Sequence, residues 1–281
     1  MRRRRPAVAG QFYSADKDAL IEELRGCFTH RLGPGAPPAR RPFGGRMVAT
    51  LNPHAGYMYS GPVAAHSFYA VSGGRPPSLF VIVGPNHYGV GSGVAVPLSD
   101  EWETPLGDAK VDVAAARELM ELSGVVDIDD AAHAQEHSIE TQVPFLQYIF
   151  GAGVKILPVS MALQDRETAV ELGDALGRLL AGKDALMIAS SDLTHYERAE
   201  VAAEKDMKAI EHMLSYDVDA LYEYIDDASL TMCGYGPAAA VMVASRALGA
   251  NKASLLKYAT SGDTGGDASS VVGYPSMAFY G

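Results

Sequence analysis

Short apolar runs alternate with longer amphipathic segments along most of the chain. The apolar runs predict strands near residues 47–51, 79–83, 154–160, 185–190, 254–260 and 271–280. The amphipathic segments predict helices over residues 62–71, 112–122, 138–150, 166–181, 197–214, 218–226 and 237–248. Strands that alternate with helices are typical of βαβ units. We therefore predict an α/β fold with a mainly parallel or mixed central sheet and helices on both faces.

The remaining segments give no sign of a boundary between domains. Ser14 or Asp16 is expected to cap a further helix near the N-terminus. Residues 33–42 are rich in Gly and Pro, which indicates a surface connection. Residues 93–112 are typical of a hairpin inserted between βαβ units. Because no second linker and no internal repeat is present, we predict one domain over residues 1–281.

Composition and charge narrow the classes of function. A formal net charge of −11 argues against a nucleic-acid partner, and we interpret the basic run Arg2–Arg5 as a solvated tail. No apolar stretch approaches the about 20 residues needed to span a bilayer, so we expect no membrane partner. The two cysteines argue against a disulfide framework, and we expect a cytoplasmic protein. Cys27 lies on the apolar face of the first helix and is assigned to the core.

Four predicted strands run directly into short loops that carry a histidine or an aspartate. These loops contain His54, His87, the pair Asp192 and His195, and Asp263. In open α/β sheets, ligands collect beyond the carboxyl ends of the strands. If the strands are parallel neighbours, these side chains converge on one small volume.

The loop histidines suggest metal binding and proton transfer. His54 and His87 suit two adjacent ligands of a divalent metal, although either could instead bond a backbone carbonyl. Asp192, three residues before His195, could orient that imidazole as a general base, or could cap the following helix. Cys233 precedes a predicted helix N-terminus, which favours a lowered thiol pKa and a role as ligand or nucleophile. The alternative for Cys233 is a buried structural thiol.

The run His133-Ala-Gln-Glu-His137 matches the H-x-x-E-H pattern of inverted zinc proteases. That chemistry needs both histidines on one helix, whereas the sequence places His133 in the loop before a helix start. We therefore expect Glu136 and His137 to border the main site and keep the zinc protease only as a minor alternative.

Several runs of the chain resemble the Memo family, also known as protein B of the AmmeMemoRadiSam system. The matching runs cover residues 5–13, 53–62, 84–87, 136–146, 190–195 and 232–237, and they follow the same order along nearly the whole chain. The family is similar to class III extradiol dioxygenases, which are single-domain α/β enzymes that use non-haem iron.

This resemblance implies a metal site with His54, His87 and Cys233 as ligands. It places His195 where those dioxygenases have their catalytic base, with Asp192 as its support. The departure is Cys233, because the dioxygenases use a carboxylate as third ligand. A thiolate is softer and oxidisable, so it also suits copper and puts ring cleavage in question.

From these observations we expect a mononuclear redox enzyme that uses iron, or alternatively copper, on a small-molecule or protein-borne substrate. We expect Tyr57, Asn86, Glu136, His137 and Asp263 to line its pocket. The alternative is a module that binds a peptide or partner protein in the same cleft without catalysis. The resemblance also implies association with a radical S-adenosylmethionine protein.

Overall fold

The apolar runs of the sequence form the strands of a mixed sheet. A computed structural model of the chain describes residues 2–39 and 43–281. Its strands are β1 Arg3–Arg4, β2 Met47–Asn52, β3 Leu79–Pro85, β4 Val94–Val96, β5 Glu101–Thr104, β6 Gly107–Val111, β7 Val126–Ile128, β8 Lys155–Met161, β9 Ala185–Ser190, β10 His195–Glu197, β11 Lys252–Thr260 and β12 Val271–Tyr280. Its helices are α1 Lys17–Thr29, α2 Tyr57–Val71, α3 Val113–Leu122, α4 Ala131–Ala134, α5 Val143–Phe150, α6 Arg166–Leu180, α7 Ala199–Leu214, α8 Val218–Ala228, α9 Tyr235–Ala247 and α10 Ser261–Gly265, with a 3₁₀ helix at Glu140–Gln142.

The strand order places the histidine-bearing loops at one edge of the sheet. The central order is β6-β8-β3-β9-β2-β12, and β11 pairs with β12. The neighbours from β6 to β2 are all parallel, whereas β12 is antiparallel to both β2 and β11. Strand β9 lies between β2 and β3, so the loops after these three strands leave the same edge side by side.

Alternating side chains of the central strands serve two separate cores. Val81 and Val83 of β3 face a core built with α3, α6 and α9. Phe80 and Ile82 face the opposite core, which α1, α2 and α5 complete. Because the strands are buried on both faces, they are apolar at nearly every position. The predicted α/β fold with helices on both faces of a mixed sheet is confirmed.

Helices α6 and α9 pack closely because α6 presents a glycine at their contact. A Cβ on Gly173 would stand 2.6 Å from the Cβ of Val243 and 2.7 Å from the carbonyl oxygen of Ala240. This close approach fixes α9 against the sheet. Since Cys233 immediately precedes α9, the same contact sets the position of its thiol.

Several boundaries differ from the prediction because tertiary pairing overrides local preference. Helix α2 begins at Tyr57 rather than near residue 62, because Tyr57 N donates to the carbonyl of Phe12 at 2.7 Å. The predicted helix start near residue 197 is occupied by β10, which pairs with β12 through an irregular register. Tyr196 takes a φ of 63° in that irregularity. Residues 138–150 form a 3₁₀ helix followed by α5.

The segment at residues 93–112 combines a hairpin with an additional pairing. β5 and β6 form the expected hairpin. β4 instead pairs antiparallel with β8 and parallel with β7. The sequence pattern did not predict β7. Of the Gly- and Pro-rich connection, residues 33–39 contain no helix or strand, and residues 40–42 lie outside the described part of the chain.

The interpretation of Arg2–Arg5 as a solvated tail is wrong for Arg4, although Arg2, Arg3 and Arg5 are exposed. Arg3 and Arg4 form β1 beside β5, and Arg4 is only 7% exposed. The Arg4 guanidinium is satisfied in the interior because it pairs with Glu140 at 2.7 Å and lies over the ring of Trp102. Cys27 is buried in the core as predicted. Among the described helices, none has the length and apolar character to cross a bilayer.

We expect Gly173→Ala to destabilise the protein, although alanine normally favours a helix. The new methyl group would overlap α9, and overpacking of this kind costs about 1–3 kcal/mol. The matched control is Gly26→Ala in α1, where a Cβ meets no atom within 4 Å and should stabilise by about 0.5–1 kcal/mol. Urea denaturation measures both changes. Equal effects of the two substitutions would contradict this account of the α6–α9 contact.

Candidate metal centre

The loops after β2 and β3 and the start of α9 bring three potential ligands together. One ligand atom each from His54, His87 and Cys233 lies within 4.8 Å of the other two. Strand β9 separates the two histidine-bearing strands, which sets the spacing of the imidazoles. The ring centroids of His54 and His87 are 5.1 Å apart. The structure therefore brings together the three residues that the sequence suggested as ligands.

His54 is buried, and its hydrogen bonds determine its tautomer. Its Nδ1 lies 2.9 Å from the hydroxyl of Ser190. That hydroxyl donates its single hydrogen to the carbonyl of Ser138 at 2.7 Å, so it accepts from His54. Nε2 therefore carries no proton, and its lone pair can accept from the thiol of Cys233, whose sulfur lies 3.3 Å away. Burial, together with the nearby His87, keeps the pKa of His54 well below its usual value.

His87 is oriented by the carboxylate of Glu136. Glu136 accepts from the backbone N–H of His87 at 2.6 Å and from its Nδ1 at 3.0 Å. Burial alone would raise the pKa of Glu136, but hydrogen bonds from His87 and Ser138 lower it to about 2. An ionised carboxylate only accepts, so His87 carries its proton on Nδ1 and presents the Nε2 lone pair. Asn86 holds the loop by accepting from the backbone of Tyr88 and Gly89.

Cys233 lies in a tight turn against the loop after β9. Its sulfur accepts from the backbone N–H of Asp192 at 3.2 Å. A Cβ on the next residue, Gly234, would stand 2.4 Å from the carbonyl of Ser190, so only glycine permits this approach. Contrary to the expected effect of the helix N-terminus, burial and the Asp192 carboxylate raise the pKa of the thiol. A metal would therefore have to displace the thiol proton on binding.

Asp192 serves the His54 loop instead of bonding His195. Its carboxylate accepts from the backbone N–H of His54 at 2.9 Å and lies 3.9 Å from His54 Nε2. Burial raises the pKa of Asp192 to about 6, although the hydrogen bond from the His54 backbone acts to lower it. Among the described residues, the partner of His195 Nδ1 is the carbonyl of Thr231 at 2.8 Å. This carbonyl also only accepts, so His195 Nε2 carries a free lone pair.

Glu136 and His137 border the centre, whereas His133 does not. The His137 ring stacks on His87 with centroids 4.7 Å apart, and its Nδ1 has no hydrogen-bond partner in the described structure. Burial lowers the pKa of His137 to about 4. His133 instead bonds the carbonyl of Ala95, and α4 ends before His137. The single helix that an inverted zinc protease needs is therefore not formed by these residues.

Two expected pocket residues have side chains that make structural hydrogen bonds. Tyr57 is 2% exposed and donates its hydroxyl to the carbonyl of Thr141 at 2.6 Å. The carboxylate of Asp263 caps α10 by accepting from the backbone N–H and hydroxyl of Thr260. Both side chains are occupied by structural hydrogen bonds in this conformation.

Residues that the sequence analysis did not single out complete the site. Ser190 fixes the His54 tautomer, Thr231 orients His195, and Gln142 donates to both Ser190 and the carbonyl of Pro53. Ser190 and Gln142 lie within runs that matched the family, so their polar character at a strand end and a helix start was a usable signal. Thr231 comes from a distant loop, and no local pattern pointed to it.

The edge of the sheet also carries exposed apolar side chains. Of eight large hydrophobic residues that are exposed in the described structure, six follow β2, β3, β8 or β9 at this edge. We call this set the apolar rim; it consists of Met58, Tyr59, Tyr88, Val90, Leu163 and Tyr196. Exposed apolar groups that cluster beside a site are typical of ligand or partner contacts.

Comparison with known proteins identifies close relatives of the whole chain. Residues 4–278 match the family described as Memo-like protein. A MEMO1 family protein of Methanothermobacter thermautotrophicus is 46% identical over 277 residues, which is 98% of this chain and 99% of that protein. A MEMO1 family protein of Methanopyrus kandleri is also 46% identical, over 98% of each chain. An uncharacterized protein from Escherichia coli K12 shares the fold, with a TM-score of 0.56 and 15% identity, over 83% of this chain and 99% of that chain.

We expect His54, His87 and His195 to adopt the Nδ1–H tautomer in the metal-free protein. Each Nδ1 faces a group that must accept, namely a committed hydroxyl, a carboxylate or a carbonyl. Long-range proton–nitrogen NMR correlations at about pH 8, above the ordinary histidine pKa of about 6.5, report the tautomer directly. His212 on the surface helix α7 is the internal reference for an imidazole outside the site. An Nε2–H signal from any of the three site histidines would contradict the assignment.

Proposed function

We propose that this chain, which belongs to the Memo-like protein family, is a metal-dependent redox protein that holds one metal ion between His54, His87 and Cys233. We propose iron as the ion, with copper as the alternative. The observation that carries this proposal is the close approach of one ligand atom from each of the three residues, all within 4.8 Å of one another, with His54 Nε2 3.3 Å from the Cys233 sulfur. Two neutral imidazoles and one thiolate form a donor set that suits both metals.

The residues present fit such an ion in chemistry and in spacing. Ligand distances of about 2.0–2.3 Å place neighbouring donors about 3–4 Å apart, and His54 Nε2 is 3.3 Å from the Cys233 sulfur. Each imidazole donates its other N–H to Ser190 or Glu136, an arrangement that fixes metal-binding histidines in proteins. Three ligands from the chain leave further coordination positions for reactants. A bound iron or copper ion would supply one-electron chemistry and the binding of oxygen.

His195 is the proposed proton carrier beside this centre. Its Nδ1–H is held by the Thr231 carbonyl, so its free Nε2 can accept a proton from a substrate that enters the cleft. Asp192 holds the His54 loop instead of polarising His195, and thus contributes to the geometry of the metal centre.

Partner recognition by the same cleft is the second candidate, and the apolar rim is the observation that favours it. A rim of exposed tyrosines and aliphatic side chains suits an apolar segment of another protein. Such a segment could carry the substrate side chain or could be bound without reaction. A radical S-adenosylmethionine protein remains a proposed partner of this kind.

We expect His87→Gln to lose bound metal and His195→Gln to keep it. Both histidines lie at the same edge with a free Nε2, but only His87 points to the proposed ion. The proteins are purified without oxygen and their iron and copper are measured by elemental analysis. Cys233→Ser should also lose metal, whereas Cys27→Ser should not, because Cys27 is buried in the core outside the cluster. A wild-type protein that refuses both metals would overturn the proposal.

We expect His195→Gln to lower oxygen uptake by about 10²–10⁴-fold without changing metal content, because it removes the general base. Oxygen uptake is followed electrochemically on iron-loaded protein with a set of small phenols as probes. His133→Gln serves as control, because His133 lies outside the cluster but would be a ligand in a zinc protease. Metal binding without oxygen uptake on any probe, combined with partner binding that survives metal removal, would favour the recognition function.

A further inference from the structure

A buried ion pair is connected by hydrogen bonds to the segment that borders the candidate metal centre. Arg4 Nη1 is 2.7 Å from Glu140 Oε2, and the two side chains are 6% and 1% exposed. Burying both charges costs hydration that the pairing only partly restores. Because the pair itself contributes little net stability, we ask which parts of the chain its hydrogen bonds hold in place.

Arg4 uses its remaining donors to hold the backbone before α5. Its Nε donates to the carbonyl of His133 at 2.7 Å, and its Nη2 donates to the carbonyl of Glu136 at 2.6 Å. The guanidinium carbon lies 4.2 Å above the Trp102 ring. These contacts point in different directions, so only the planar fork of an arginine satisfies them together.

Glu140 fixes the other side of the same segment. Besides Arg4, its carboxylate accepts from the backbone N–H groups of Ala7 and Val8 and from the hydroxyl of Tyr13 at 2.6 Å. The N-terminal segment, which we define as residues 2–13, is thereby tied to the turn that carries Glu136. Phe12 adds a contact with His137, with ring centroids 4.7 Å apart.

Glu136 connects this network to a proposed ligand. Its carbonyl is held by Arg4, while its carboxylate accepts from the backbone and the ring of His87. A shift of the Glu136 backbone would therefore move the group that fixes the orientation and tautomer of His87. The chain of contacts from Arg4 to His87 consists of direct hydrogen bonds.

We propose that Arg4, paired with Glu140, is a positioning residue of the metal centre and acts through Glu136 on His87. The expected effect of Arg4 on metal binding rests on the proposed function. Its structural part, the control of His87, applies equally to the metal-free protein. The competing explanation is that the ion pair only contributes to global stability.

The test compares Arg4→Met with two matched controls. Arg3→Met removes a neighbouring arginine whose pairing with Asp108 is on the surface. Leu221→Ala opens a cavity in the core on the opposite face of the sheet and lowers stability without contact to the site. Unfolding by urea measures stability, and titration with Co²⁺, followed by its thiolate absorption band, measures metal affinity.

We expect Arg4→Met to weaken Co²⁺ binding by about 10–100-fold, the range found for partners that orient metal ligands. Arg3→Met and Leu221→Ala should bind Co²⁺ as the wild type does, even where Leu221→Ala unfolds more readily. In a Glu136→Gln background, Arg4→Met should add little, because both act on the same ligand. If Leu221→Ala weakens Co²⁺ binding as much as Arg4→Met does, the positioning role is refuted.

A measurement on metal-free protein separates this inference from the proposed function. Arg4→Met should change the Nδ1–H signal of His87 in NMR while leaving that of His195 unchanged. If wild type binds none of Co²⁺, iron and copper, the metal proposal fails, and this signal alone decides the role of Arg4. An unchanged His87 signal in Arg4→Met overturns the inference. If Arg4→Met does not fold, Arg4→Lys keeps the charge, loses the fork and is expected to change the same signal.

Discussion

The site depends on one constraint of the sheet, which is the position of β9 between β2 and β3. All three strands are parallel, so their loops emerge together, and the width of β9 sets the distance between His54 and His87. Cys233 reaches the same point because two glycines permit close packing, Gly234 against the carbonyl of Ser190 and Gly173 of α6 against α9. Changes in strand order or in that helix contact would separate the ligands without altering any of them.

The hydrogen-bond acceptors around the three histidines determine which ring nitrogen of each carries the proton and which presents a lone pair. Ser190, Glu136 and the Thr231 carbonyl each take the Nδ1 proton of one histidine. Three imidazoles would otherwise interchange their tautomers freely, and a site assembled from such rings would be heterogeneous. Glu136 remains ionised in a buried position because His87 and Ser138 donate to it. The hydrogen bonds of these polar groups therefore favour one arrangement, in which each of the three histidines has its lone pair on Nε2.

The sequence predicted six of the strands and the helices on both faces of the sheet, because hydrophobic periodicity is a local property. It also placed His54 and His87 in loops after strands, whereas the grouping of Cys233 with them came from the family resemblance. It did not predict the partners that orient them. The role of Arg4 was missed because a basic run near a terminus is usually solvated, and its burial depends on Trp102 and Glu140, which are distant in sequence. The support of His195 was assigned to Asp192 by proximity in sequence, whereas the fold brings Thr231 to that imidazole.

With Cys233, the empty centre carries a different charge from a site that has two histidines and a carboxylate. A carboxyl group in this position would place a second acidic group beside Asp192, and each negative charge would disfavour the other. A thiol whose pKa is raised by burial stays neutral in the empty site, so the apo cluster carries less unpaired charge. Its proton must leave when a metal binds, and the resulting thiolate is softer and more easily oxidised. The thiol therefore accounts for both the low charge of the empty cluster and the soft donor set on which the proposed redox function rests.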